Sequence, residues 1–190
     1  MGWVTGGTGS VSHQVGQANH PGIDRVTSGA TNPSVLSIFT GNNSGTSPIA
    51  GSEMFDITWI ISPVSLNAAT CIRAGLATGA PSSDPPGNGA WIERDDADTD
   101  WFGVGKVGGV ATRTSGLLGG VVTAGAWYKL RVRRVDATTL GFSVNDGVEQ
   151  TLAVGQPTAL APVLQVATTE AVAKSVDVDL VILRVTGLTR

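Results

Sequence analysis

The chain has 190 residues, a net charge of −3 and 26 glycines, and only 14% of its residues are charged, against about 25% in an ordinary soluble domain. So few and so scattered Lys and Arg argue against a nucleic-acid-binding surface, and the single cysteine, Cys71, excludes an internal disulfide. No apolar run reaches the ~18 residues of a membrane span, and residues 1–22 have neither the charged nor the apolar region of a signal peptide.

Residues 1–22 are rich in Gly, Ser, Thr, Asn and Gln, with Trp3, Val4, Val11 and Val15 as their apolar anchors. Ordering a backbone costs about 1–2 kcal/mol per residue, more than four such side chains return. The expectation is an extended N-terminal arm held by a neighbouring copy or another protein. Strands follow from residue 23: 23–29, 34–39 (ended by the turn-rich stretch 40–48), 54–62 and 70–78. In the third of these Phe55, Ile57, Trp59 and Ile61 share one face. After the Pro- and Gly-rich loop 79–89 come strands at 89–95 and 126–135. In the latter Tyr128, Leu130 and Val132 alternate with Lys129, Arg131 and Arg133, so the basic cluster, with Arg134, reads as a strand's outward face. Residues 139–152 read as a hairpin turning at Asn145-Asp146-Gly147, since this turn needs residues that tolerate positive φ. Strands at 162–168 and 176–185 close the chain, and the only helix candidate, 168–175, is too short to stand alone. About ten to twelve evenly spaced strands give an all-β fold: a two-sheet antiparallel jelly-roll sandwich over residues 23–190, preceded by the arm.

Three stretches of the last third, WYKLRVRR (127–134), FSVNDG (142–147) and SVDVDLVILRV (175–185), together resemble the concanavalin A-like (laminin-G-like) jelly roll. The earlier HPGIDRVTSG (20–29) resembles the first strand of versions of that domain found in bacteriophage tail and capsid-surface proteins. The resemblance implies a virion structural protein, a capsid decoration or a tail or fibre component. Its partners would be copies of itself and other virion proteins, and it would assemble in the host cytoplasm.

Catalysis finds little support in the residues. The four glutamates, Glu53, Glu93, Glu149 and Glu170, share no predicted strand, whereas a retaining glycosidase needs two carboxyl groups about 5–5.5 Å apart. Asp177 and Asp179 share a strand face opposite Val176, Val178 and Leu180 and belong to the scaffold in the resembled family. Both histidines, His13 and His20, fall in the polar arm, and no Gly-x-Ser-x-Gly elbow exists. Asp96, Asp98 and Asp100 alternate as in the opening of a calcium loop, but Trp101 and Val107 stand where Gly and Glu would be needed, so a solvated acidic loop is the simpler reading. One Cys and two distant His make no zinc set. Trp91 and Trp101 flank that loop, and aromatic faces beside carboxylates suit a sugar ring. Trp91 is expected in the core rather than at a ligand, Trp101 is open to either role, and Trp59 and Trp127 are expected to be buried.

The reading is therefore a non-enzymatic structural subunit that needs no cofactor and contacts neither nucleic acid nor membrane. Its alternative is a carbohydrate-binding module for host attachment, with Trp91, Trp101, Asp96, Asp98 and Asp100 as possible ligand-binding residues.

Overall fold

In the computed structural model the described residues are 4–39, 49, 53–78, 85–155, 157 and 159–187. They form an all-β sandwich of two antiparallel sheets. Trp3, the stretch 40–48 and residues 79–84 lie outside them. The strands in chain order are β1 (Val4–Gly7), β2 (Gly9–His13), β3 (Asp24–Ser28), β4 (Ser34–Phe39), β5 (Met54–Pro63), β6 (Thr70–Ala77), β7 (Gly89–Arg94) and β8 (Asp100–Val107). They continue with β9 (Val110–Arg113), β10 (Leu118–Val121), β11 (Tyr128–Arg134), β12 (Thr139–Val144), β13 (Gln150–Ala153), β14 (Ala161–Thr168) and β15 (Ser175–Thr186). The first sheet runs β1-β4-β14-β6-β7-β8-β10, with β9 also paired to β8, and the second runs β13-β12-β11-β5-β15-β3-β2. Among the described residues no helix is long and apolar enough to cross a membrane.

Alternation builds the core. Ile57, Trp59 and Ile61 of β5, Leu130 and Val132 of β11, Ile72 and Ala74 of β6 and Leu164 and Val166 of β14 are wholly buried between the sheets. The hairpin forms at the expected residues: Asn145 and Asp146 take φ of 52° and 57°, and Gly147 N–H donates to the Val144 carbonyl at 2.9 Å. Residues 168–175 form no helix beyond the end of β14; local hydrogen bonds among Thr168, Glu170 and Lys174 hold them instead.

The N-terminal segment departs from expectation. β1 pairs with β4 at the edge of the first sheet, and β2 pairs with β3 at the edge of the second. Thr8 bridges the two sheets, its N–H donating to the Val35 carbonyl and its carbonyl accepting from Gly29, both at 2.8 Å. Gly7, at φ 95°, makes this crossing possible, because a Cβ there would sit 2.0 Å from the Val35 carbonyl oxygen. Weighing apolar side chains alone pointed to a neighbour; the ladder hydrogen bonds that hold residues 4–13 come from the chain's own sheet edges. Of the expected anchors, Val11 packs against the core while Val15 is exposed, and of Val4 the backbone alone is described.

β15 departs as well. Its register against β5 slips between Val178 and Leu180, a β-bulge that leaves Asp179 between the two phases. Val176 and Val178 point into the core, but Leu180, Ile182 and Arg184 then point outward. Leu180 is thus on the exposed side, not the buried one, and Asp177 and Asp179 do not continue one alternating face.

Candidate functional site

The residues expected at a ligand are not brought together. Trp91 of β7 is buried and its indole N–H donates to Glu93 Oε2 at 2.8 Å. Trp101 of β8 is wholly buried and packs edge-on against Tyr128 at 5.5 Å between centroids. Neither indole presents a face to a sugar. Asp96 and Asp98 of the β7–β8 loop and Asp100 at the start of β8 engage separate partners. Asp96 accepts from the Thr169 hydroxyl, Asp98 accepts from the Asp95 N–H and pairs with Arg113, and Asp100 accepts from the Thr99 hydroxyl. Among the described residues no group of three or more His, Cys, Asp or Glu is placed to hold a metal ion.

Polar side chains cluster on each sheet's outer face. On the first sheet, Arg73 of β6 donates to Glu93 Oε2 at 3.1 Å, to Gln165 Oε1 of β14 at 3.0 Å and to Asp95 Oδ1 at 2.8 Å. Arg113 approaches the other Glu93 oxygen at 3.2 Å and covers the Phe102 ring at 4.0 Å. Gln165 donates to the Ser37 hydroxyl. Arg73, Glu93, Gln165 and Ser37 are all buried, so this network ties four strands together and offers a ligand little surface.

The second sheet's outer face is open. Cross-strand register places Lys129, Ile60 and Leu180 in one row, Arg131, Thr58 and Ile182 in the next, and Arg133, Asp56 and Arg184 in a third. All of these but Leu180 and Arg133 line a groove of about 490 Å³, together with Asp146 of the β12–β13 turn. Arg131 grips Asp56 with two hydrogen bonds of 2.9 and 2.5 Å, Lys129 holds Asp146 at 2.7 Å, and beside the groove Arg133 grips Glu149 through two bonds of 2.6 Å. The hydrogen bonds from Arg131 hold the Asp56 carboxyl below the usual carboxylate range, and those from Arg133 do the same for Glu149. Leu180 and Ile182 leave an apolar strip exposed between these charges.

At the Lys129 and Leu180 end stands an aromatic pair. Trp127, immediately before β11, is half-buried and stacks on His20 with centroids 3.8 Å apart and planes 10° from parallel. His20 Nδ1 lies 2.9 Å from the carboxylate of Asp179, which the bulge in β15 turns toward it, and the Trp127 indole N–H reaches Gln17. Trp127 was expected in the core. Its signal was present in the sequence: it shares the phase of Lys129 and Arg131, not that of Leu130. Arg134 deviates the opposite way. It sits in the inward phase, buried, and donates to the Glu53 carbonyl rather than joining the outward basic face.

With this geometry described, comparison with known proteins places the fold. The model of the SO2946-like C-terminal domain family matches residues 19–177. Among curated proteins none matches the chain. The solved structure of SO2946 from Shewanella oneidensis MR-1, a protein of unknown function, is similar with a TM-score of 0.67 at 15% identity over 96% of this chain and 78% of that one. The carbohydrate recognition domain of Emp46p, in a metal-free form, gives 0.62 at 13% identity over 95% and 87%. The carbohydrate-binding module CBM66 from Bacillus subtilis gives 0.59 at 12% identity over 96% and 95%. An alginate lyase, A1-II', shares the sandwich too, with a TM-score of 0.60 at 11% identity over 88% and 81%, so enzymes as well as binding modules use this fold. At such identities the likeness is one of fold: the chain is a jelly-roll sandwich of the concanavalin A-like kind.

Proposed function

The chain belongs to the SO2946-like C-terminal domain family, and from that premise we propose that it is a carbohydrate-binding domain that holds a saccharide without cleaving it. The observation that carries this reading is the open groove on the second sheet. Lys129, Arg131, Asp56 and Asp146 are held in place by their own ion pairs, and the exposed Ile182 can meet the C–H face of a sugar ring. The half-buried Trp127–His20 stack stands at the groove's end, where an aromatic wall is useful. The sandwich is also shared, over nearly its whole length, with a carbohydrate-binding module and a carbohydrate recognition domain. Hydrolysis would need an acid with a raised pKa. Asp56 and Glu149 are instead held ionised by arginines, and Glu93 is locked between Arg73 and Arg113. The bacteriophage setting implied by the sequence resemblance is carried by no feature described above.

Glycan-array screening followed by calorimetry tests the reading. The intact chain should bind at least one oligosaccharide, I182D should weaken that binding at least tenfold while the protein stays folded, and no new reducing ends should appear on prolonged incubation. Absence of binding across the array, or release of product, would refute it.

A further inference from the structure

We propose that the groove on the second sheet selects an acidic sugar, a uronate whose carboxylate is taken by Arg184; this rests on the carbohydrate-binding reading and sharpens it. The argument begins with charge. The chain as a whole is acidic, at −3, yet the groove lining holds Lys129, Arg131 and Arg184 against Asp56 and Asp146. Arg131 and Lys129 are matched by Asp56 and Asp146. Arg184 is matched less closely: it is exposed, it lies opposite Asp56 in the β5–β15 register and its charge adds to what holds Asp56 ionised, but among the described residues no carboxylate pairs with it directly. Asp56 already accepts two hydrogen bonds from Arg131, so its charge is largely satisfied before Arg184 is reached.

A guanidinium in this position presents a planar fork of donors suited to a carboxylate. A neutral sugar would cover Arg184 without answering its charge, which costs affinity, whereas a uronate answers it. The other groups fit the rest of such a ring. Ile182, one row from Arg184 on the same strand and exposed, can lie under the apolar face. Asp56 and Asp146 keep acceptor lone pairs beyond those used by Arg131 and Lys129, and hydroxyls can donate to these. Thr58, between Arg131 and Ile182, adds a hydroxyl that can donate or accept. The outer face of the first sheet cannot do the same, because its Arg73 is enclosed by Glu93, Asp95 and Gln165.

The test is calorimetric titration of the full chain with an oligogalacturonate and with a neutral galacto-oligosaccharide of equal length, at low and high salt. The acidic ligand is expected to bind at least tenfold more tightly, and this preference should shrink as salt rises, because surface charges are screened. R184A and R184Q should each lose roughly ten- to a hundredfold for the acidic ligand, the range of a charged hydrogen bond, and little for the neutral one. R184K should recover part of the loss. Thermal melts should leave both variants folded, since an exposed arginine with no ion pair supports little structure. If the neutral ligand binds as well as the acidic one and R184A changes neither, the acidic selectivity is wrong while the carbohydrate-binding reading stands. If sulfate at matched ionic strength displaces the uronate, the site is a generic anion sink and the inference fails. If neither sugar binds, the uronate inference fails, while the carbohydrate-binding reading falls only if the glycan array is empty as well.

Discussion

On the outer face of the first sheet, Arg73 and Glu93 meet with side chains only 4% and 7% exposed; on the outer face of the second, Arg131 and Asp56 meet with 38% and 25% exposed. The chemistry is the same, a guanidinium bridging strands to a carboxylate, but the surroundings are opposite. The first pair must satisfy all its hydrogen bonds within the protein, and does so through Gln165, Asp95, Trp91 and Arg113. The second satisfies itself with two bonds and leaves the remaining valences to water or a ligand. A buried network fastens a sheet, and an open one of similar composition makes a site. Composition alone does not separate them; burial does.

The largest effect expected from this contrast is at Glu93. Removing one partner of a buried ion pair costs about 3–5 kcal/mol; without Glu93, Arg73 keeps only the more exposed Asp95 as carboxylate partner, and the buried Trp91 indole N–H loses its acceptor. E93A should therefore lower the unfolding free energy by that much in urea titration, and its loss should exceed that of D56A severalfold. Equal losses for the two variants would break the distinction between a sealed face and an open one.

Between these extremes lies the His20–Trp127–Asp179 cluster, half-exposed at the end of the groove. A stacked aromatic pair contributes about 0.5–1.5 kcal/mol beyond its buried area, and the hydrogen bond to Asp179 about 0.5–1.5 more. H20A should cost about 1–2 kcal/mol by denaturation and should loosen residues 17–20, read as faster amide exchange at His20, whose N–H donates to the Gln17 carbonyl. A cost equal to that of E93A would move this cluster to the sealed side of the comparison; no cost at all would mean that the stack holds nothing.

The all-β class, the two sheets and the hairpin at Asn145 were legible because each rests on local rules: alternation, and residues that tolerate positive φ. What was missed rests on long-range geometry. β8 hid because two of its core-facing positions are Gly103 and Gly105, where Phe142 and then Val154 and Leu140 from across the sandwich fill the space, so no apolar alternation appears. β1 and β2 hid because polar edge strands are held by backbone bonds to partners decided by topology. The outward turn of Leu180 did leave a trace: unbroken alternation from Val176 would have sent Arg184 into the core, and a bulge resolves that conflict. As for the site, the outward face of Lys129, Arg131 and Arg133 was readable, but its pairing with Asp56, 75 residues away in sequence, was not. Trp91 and Trp101 were drawn toward the acidic loop by sequence proximity, while in the fold they are buried.

The smallest effect sharpens the comparison through pH. Hydrogen bonds from Arg131 lower the folded-state pKa of Asp56, so the unfolded chain takes up a proton at higher pH than the folded one. The resulting stabilisation is complete above the unfolded carboxylate value, about pH 4, and is lost as pH falls through the lower folded value. Because the pair is partly exposed, its contribution is about 0.5–1 kcal/mol after solvent screening. D56N should thus be less stable than the parent at pH 7 by that amount and nearly equal to it at about pH 2–3, and added salt should narrow the gap at pH 7. Stability curves of the two proteins from pH 7 to 2, at low and high salt, measure this directly. A difference between them that persists unchanged at low pH would show that Asp56 acts through packing rather than charge, and would place the second sheet's pair with the sealed network of the first.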